Sequence, residues 1–150
     1  MKKNGGLTLL ELTVTMAVLM VVVGVVLIGT RGDNNDYRAL HNAALVLQSD
    51  LRYAQRRAVT EGRRIGIQFD PVNNRYSIIT IEPEFQTFRI VSFADGIELI
   101  HTTHQGERVM YQPRGTGNPG TVILRNGQHS QRITTTLSGG QVRTYEIISE

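Results

Sequence analysis

The sequence predicts an α+β fold, in which a long N-terminal helix precedes a C-terminal antiparallel β-sheet domain of about eight short strands. An uncharged apolar run covers residues 12–30, and an amphipathic helical repeat covers residues 37–58. From residue 63 onward, alternating apolar residues are separated by turn residues. Helical segments followed by a series of strands are typical of α+β domains.

The N-terminal run is long enough to cross a membrane. Two lysines and two glycines precede it, and the nineteen residues Leu12–Thr30 carry no charge. At about 1.5 Å per helical residue, they span roughly the 30 Å of a bilayer's hydrocarbon core. Glu11 stands at the edge of this run, and a carboxylate drawn toward the middle of a membrane costs about 2.5–3.5 kcal/mol. We expect residues 7–30 to form a transmembrane helix in which Glu11 has a partner of opposite charge.

Two other interpretations of the apolar run are a secretory signal peptide and a plain signal anchor. A signal peptide has an apolar core of 7–15 residues followed by a small-residue cleavage site. This run is longer, and Thr30-Arg31-Gly32-Asp33 follows it instead of such a site. A plain anchor would explain the lysines and the run, but it gives Glu11 no role.

Residues 37–61 repeat with the period of an amphipathic helix. The apolar residues, spaced three and four apart, are Tyr37, Leu40, Ala44, Leu47, Leu51, Ala54 and Ala58. We expect this stripe to pack against a sheet, with a seam to another subunit's helix as the alternative. Gly62 is a natural helix end. Before the stripe, the Gly, Asp and Asn residues in 30–36 predict a kink or short break, with a bent continuous helix as the alternative.

The remaining residues divide into eight predicted strands separated by turn residues. The strands cover residues 65–70, 75–82, 88–93, 97–102, 108–112, 121–125, 132–137 and 141–148. Ser138-Gly139-Gly140 predicts a tight hairpin between the last two strands. The roughly 115 residues after the apolar run are enough to bury a core.

Composition limits the chemistry that this chain can perform. There is no cysteine, which removes disulfides, thiolate catalysis and cysteine-ligated zinc. The formal net charge is +3, and both lysines lie at positions 2 and 3. Without them, fourteen arginines face thirteen acids, a net of +1. The basic balance is therefore a weak argument for an anionic partner.

No residue set in the sequence indicates an active site. Gly115, Gly117 and Gly120 match a G-x-G-x-x-G pattern, but a strand is predicted to follow them where a dinucleotide site needs a helix. His101 and His104 are predicted to face opposite sides of a strand end, which disfavours a shared metal. Residues 31–36 contain an Arg-Gly-Asp triplet next to the membrane and lack the ligand spacing of a calcium loop. We expect a protein that is not an enzyme and that needs no metal or cofactor.

One stretch of the chain has a single sign of charge. No acid occurs between Glu107 and Glu146. The arginines in this interval are Arg108, Arg114, Arg125, Arg132 and Arg143. On adjacent strands they would form a basic face. The alternative is that they solvate strand faces and pair with acids of other segments.

Gly6, Leu7 and Glu11 have the spacing of a known N-terminal motif. The stretch resembles the start of type IV prepilins and type II secretion pseudopilins, where a basic leader ends in Gly and the fifth mature residue is Glu. The first mature residue is usually Phe, and here it is Leu7. The resemblance implies that residues 1–6 are a leader, that a prepilin peptidase cuts between Gly6 and Leu7, and that the new amine of Leu7 is methylated. In a filament, that amine would neutralise Glu11 of a neighbouring subunit and set the axial register.

The body of the chain is similar to the GspH/FimT group of minor pilins and pseudopilins. The similarity rests on residues 47–59, on Gly62 with the strand 65–70, and on Gly139-Gly140-Gln141-Val142-Arg143 near the end. It implies a structural subunit of the cytoplasmic membrane, with its N-terminus in the cytoplasm and residues 63–150 outside. Other pilins or pseudopilins would be its partners through the N-terminal helix. It leaves a type II secretion pseudopilus, a type IV pilus and a competence pilus as alternatives.

The same resemblance provides an alternative function. Some FimT-type minor pilins bind DNA during natural transformation through a Gly-Arg-x-Arg element. Gln141 stands at the position of the first arginine, so only Arg143 carries over. Arg132, Arg125 and Arg114 would complete such a DNA-binding surface.

Overall fold

The structure, a computed structural model, describes residues 9–29, 31–137 and 143–148. The chain divides into two compact units, residues 1–35 and residues 36–150. In the described residues, two α-helices precede eight strands, and one short 3-10 helix (Gln105–Glu107) lies between two of the strands. The predicted α+β class is confirmed.

The first unit contains helix α1 (Leu9–Gly29). Its apolar residues surround the whole helix rather than forming one face. The hydroxyls of Thr13 and Thr15 donate to the carbonyls of Leu10 and Leu12, at 2.8 and 2.9 Å, so these polar groups are satisfied within the helix. In the part of the chain that the structure describes, no helix is both long enough and apolar enough to cross a membrane, and the predicted span stays a prediction.

Helix α2 runs from Arg31 to Glu61. A break extending over residues 31–36 is wrong, because these residues are helical. Thr30 lies outside the described residues, so a kink there and the alternative of a bent continuous helix stay predictions. The predicted end at Gly62 is confirmed, since this residue has a φ of 64°, the left-handed conformation of a helix cap.

The strands form two four-stranded antiparallel sheets. They are β1 (Ile65–Asp70), β2 (Arg75–Thr80), β3 (Gln86–Ser92), β4 (Ile97–Thr102), β5 (Arg108–Tyr111), β6 (Gly120–Asn126), β7 (His129–Thr135) and β8 (Arg143–Ile148). Sheet A has the order β3-β2-β1-β5, and sheet B has the order β4-β6-β7-β8. All eight predicted strands are present, with ends that differ by three residues or fewer.

The largest of these differences occurs at the start of β7. The prediction placed this start at residue 132, but the strand begins at His129 because Asn126 pairs with His129 across a two-residue turn. Gly127 in that turn has a φ of 57°, which two-residue hairpins require. The two turn residues are Gly127 and Gln128, and Gly at the first of two turn positions is typical of a two-residue hairpin. The hairpin predicted at residues 138–140 lies outside the described residues, although β7 and β8 do pair antiparallel.

Helix α2 is the central helix of the second unit, and its apolar side chains form part of the hydrophobic core. From Leu40 to Ala58, the predicted apolar stripe is fully buried. It packs against apolar side chains of both sheets: Ile65, Ile67, Phe69, Tyr76, Ile78, Val109 and Tyr111 from sheet A, and Ile97, Leu99, Val122, Leu124 and Ile133 from sheet B. The Asn126 amide also donates to the backbone carbonyl of Asp36 at 3.1 Å, which ties the helix to sheet B. The prediction that the stripe packs against a sheet is confirmed.

Candidate functional site

The predicted assembly residues lie at the start of the chain. Gly6 and Leu7 are outside the described residues, so the predicted cleavage site stays a prediction. Glu11 lies in the first turn of α1 with an exposed side chain. Exposed apolar side chains surround it, among them Leu9, Leu10 and Leu12. Glu11 thus brings a carboxylate to the N-terminal end of a helix that is otherwise apolar.

The predicted DNA-binding arginines do not form one surface in the described residues. Next to Arg114, the carbonyl of Gly115 accepts a 2.7 Å hydrogen bond from Gln55. Next to Arg125, Asn126 bonds to Asp36 at the other end of α2. Residues 36 and 55 are separated by roughly 28 Å along a helix. Arg114 and Arg125 therefore lie at opposite ends of the domain.

The other arginines lie on neighbouring strands of sheet B. Arg125 pairs with Glu98 at 2.9 Å, which neutralises much of its charge. Arg132 is exposed on β7, and Arg143 starts β8 opposite Thr134. The side chain of Arg143 is outside the described residues. A single basic face extending to Arg114 is not present in the part of the domain that the structure describes.

The remaining sequence motifs have structural roles. Gly115 and Gly117 precede β6, and Gly120 is the first residue of that strand, so a strand follows the pattern as predicted. His101 is exposed and His104 is buried, so they face different environments as predicted. Within the described ranges, no group of three or more acidic or histidine side chains is arranged to hold a metal ion.

His104 is a core residue whose polar atoms are satisfied. Its Nδ1 and Nε2 each lie 2.8 Å from a threonine hydroxyl, of Thr102 and Thr135 respectively. The imidazole also stacks on Phe69, with ring centroids 5.7 Å apart. Burial lowers the pKa of His104 to about 4, because the apolar surroundings disfavour the charged ring. His104 is therefore neutral at physiological pH and links β7 to the segment after β4.

A buried charge network on α2 was not predicted. Asp50 is 6% exposed, and its Oδ2 accepts a 2.6 Å hydrogen bond from the hydroxyl of Tyr76. The same oxygen forms an ion pair with Arg89 of β3. Burial, and then the hydrogen bond to Asp50, raise the pKa of Tyr76 well above its ordinary value. Asp50 directly precedes Leu51 of the buried stripe, and an acid next to a buried position is the sequence feature that could have indicated this network.

A cleft lined by arginines opens beside this network. It has a volume of about 300 Å³, and its walls come from α2 and β3 with Ile78 of β2. The lining residues are Ser49, Asp50, Tyr53, Arg56, Arg57, Ile78, Phe88 and Arg89. We call it the arginine cleft. Three guanidinium groups and the Asp50 carboxylate line it, and with Glu61, the ion-pair partner of Arg57, the formal charge is +1.

Two side chains of the arginine cleft are held rigidly. The guanidinium of Arg57 lies 3.8 Å from the centroid of the Phe88 ring and pairs with Glu61. The hydrogen bond to Arg57 lowers the pKa of Glu61, which keeps this partner ionised. Arg89 is held by Asp50 in the same way, and its pKa is raised by that hydrogen bond. The cleft is therefore a prearranged cationic surface.

An all-round apolar helix with an acid at its start, followed by helix α2 packed on antiparallel sheets, defines a pilin-like subunit. Residues 43–139 match the family described as the type II transport protein GspH, and residues 1–27 match the prokaryotic N-terminal methylation motif. The first match covers more than half of the chain, so the chain belongs to the GspH family. A comparison with curated protein sequences finds no significant match.

Solved structures with a similar fold include proteins of three bacteria. The minor pseudopilin EpsH of the type 2 secretion system of Vibrio cholerae is 14% identical with a TM-score of 0.61, over 71% of this chain and 96% of that one. The type IV minor pilin FimU of Pseudomonas aeruginosa is 19% identical with a TM-score of 0.58, over 74% and 90%. GspH of E. coli is 16% identical with a TM-score of 0.59, over 78% and 94%. At these identities, the similarity shows the fold.

Proposed function

We propose that this protein is a structural minor pilin or pseudopilin subunit. A prepilin peptidase would cut it after Gly6, and the mature chain would enter a type IV pilus or a type II secretion pseudopilus. The observation that carries the proposal is the combination of the methylation-motif match with Glu11 in the first turn of an otherwise apolar helix. Such a helix needs a cover of lipid or of other helices along its length.

The proposed location is the cytoplasmic membrane, followed by the filament. The uncharged run Leu12–Thr30 supports anchoring by its length. The lysines at positions 2 and 3 would keep the N-terminus in the cytoplasm, and the α+β domain would lie outside. Once the leader is removed, the new amine of Leu7 would neutralise Glu11 of a neighbouring subunit. This pairing offsets the cost of a carboxylate in an apolar environment and favours one axial stagger of the helices.

The role of Glu11 is tested with the substitution Glu11→Ala in the full chain. We expect normal insertion into the membrane, because the apolar run is unchanged. The amount recovered in sheared filaments should fall about tenfold or more, since 1.4 kcal/mol of lost pairing already gives that factor. The matched control is Thr13→Ala, two residues further along α1, which should assemble normally. Normal assembly of Glu11→Ala would refute the proposed role.

The DNA-binding alternative has no support in the described residues. Arg125 is paired with Glu98, and Arg114 lies at the other end of the domain. A non-catalytic role fits the GspH family, whose members are structural subunits. We therefore propose assembly, rather than nucleic-acid capture or catalysis, as the function.

A further inference from the structure

The outer strands of the two sheets differ in how their free edges are covered. An exposed edge strand presents unpaired backbone groups that can recruit another strand. Beside β5, the side chain of Asn118 accepts from the backbone N–H of Met110 at 2.6 Å and donates to the carbonyl of Arg108 at 2.8 Å. The amide of Asn118 therefore takes the place of a neighbouring strand.

A second asparagine covers β4 in the same way. The side chain of Asn74 accepts from the N–H of Leu99 at 2.9 Å and donates to the carbonyl of Ile97 at 2.6 Å. Each of these two edges thus has a side-chain amide with the hydrogen-bond pattern of a strand, and beside β5 the backbone of Gly117 also pairs with Tyr111.

The edge of β3 has no such cover among the described residues. β3 is the outer strand of sheet A, and none of the hydrogen bonds outside the β2 pairing closes its far side. Most of its residues are exposed, and Ile90 is 57% exposed. This edge is therefore open to an added strand in the monomer.

A β-bulge aims two consecutive side chains of β3 toward the helix. The register with β2 shifts between Ile78 and Ile79, which leaves Phe88 as the extra residue. A bulge lets neighbouring side chains lie on the same side of a strand. Phe88 thus lies under Arg57, while Arg89 reaches Asp50. The open edge and the arginine cleft are consequently two parts of one surface.

The charge of this surface selects its occupant. A strand added beside β3 would turn alternate side chains toward α2, where Arg56 is exposed and has no ion pair among the described residues. A carboxylate fits there because guanidinium groups bind carboxylates with charge-assisted hydrogen bonds. A second copy of this chain is disfavoured, since pairing β3 with β3 would bring two cationic clefts together.

We propose that the β3 edge and the arginine cleft bind an extended, acidic segment of another subunit by strand addition, with one carboxylate in the cleft. Backbone hydrogen bonds would provide affinity, and the carboxylate would provide selectivity. The inference rests on the proposed function, because that function makes the partner a pilin-like subunit. Binding at this edge is nevertheless separate from the pairing of Glu11.

The test uses the full chain in detergent micelles and measures fluorescence polarisation. The probe is a fluorescein-labelled peptide of seven residues, alternating Thr and Val around a central Glu. One control peptide has Lys in place of Glu, and another is N-methylated on alternate amides to block backbone pairing. Because this assay needs no filament, its failure would be distinct from a failure of Glu11→Ala to affect assembly.

We expect saturable binding that is about tenfold weaker for both control peptides. Arg56→Glu should weaken the affinity for the parent peptide by a similar factor. Arg132→Glu replaces an exposed arginine on β7 and should change that affinity by less than about twofold. The proposal is overturned if no binding is seen up to about 1 mM, or if the methylated peptide binds as well as the parent. It is also overturned if the chain self-associates without peptide and Arg56→Glu abolishes that association, since the edge would then bind a second copy.

Discussion

Replacing Asp50 with alanine tests whether the buried network holds α2 against sheet A. The substitution leaves the Tyr76 hydroxyl, in a side chain only 1% exposed, without its acceptor. An orphaned buried hydroxyl costs about 1–3 kcal/mol, and a hydrogen bond to a charged group contributes about 1.5–3 kcal/mol. The Arg89 side chain is 53% exposed, so water can solvate it and its loss adds little. We expect Asp50→Ala to lower the free energy of unfolding by about 3 kcal/mol.

The assay is thermal unfolding of the full chain, followed by circular dichroism in detergent. A loss of about 3 kcal/mol corresponds to a Tm lower by about 10 °C for a domain of this size. Tyr76→Phe keeps the ion pair but removes the hydrogen bond to the charged Asp50, and it should lower the free energy of unfolding by about 1.5–3 kcal/mol. The matched control is Asp70→Ala, because Asp70 pairs with Arg75 at the surface and should contribute less than about 1 kcal/mol. An Asp50→Ala variant as stable as the Asp70→Ala variant would refute the reasoning.

Three further predictions concern the core and the sheet edge. The pKa of His104 is about 4 in the folded chain and about 6.5 in the unfolded chain, so the unfolded chain binds a proton at the higher pH. The free energy of unfolding should therefore fall by up to about 3 kcal/mol as the pH drops from about 6.5 to about 4. Urea unfolding at several pH values should show this loss, and His104→Gln should reduce it. Leu51→Ala should lower the free energy of unfolding by about 2–5 kcal/mol in the same urea assay. Leu45→Ala, at an exposed position of α2, should lower it by less than about 1 kcal/mol, and equal losses would contradict the packing of the stripe. Asn118→Ala should speed hydrogen exchange of the Met110 amide about tenfold, and unchanged exchange would show that the side chain does not cover the β5 edge.

Local periodicity explains why most of the fold was predictable. The stripe from Leu40 to Ala58 repeats every three or four residues, and the buried positions follow it. The strands were found from alternation and turn residues in the same way. The start of β7 differs from the prediction because Gly127 begins a two-residue turn there. The weak helix propensity of residues 31–36 favoured a break there, whereas these residues are part of α2.

The features of the site depend on contacts between distant residues, which periodicity does not report. Asp50 and Tyr76 meet across 26 positions of sequence, and nothing local indicates that pairing. Asn74 and Asn118 look like turn residues in the sequence, whereas their role at a sheet edge appears only in three dimensions. The positive charge of the arginines suits a DNA-binding surface, but their spacing along the chain does not indicate that Arg114 lies apart from the arginines of sheet B.

The measurement that tests the central claim most directly is the intact mass of the protein, purified from cells with an active prepilin peptidase. Cells with an inactive peptidase provide the control. The proposed function predicts a chain that begins at Leu7 and carries one additional methyl group, and it predicts the unprocessed chain from the control cells. A chain that still begins at Met1 in both, or that is cut at another residue, would contradict the proposal that this protein is a processed pilin-like subunit.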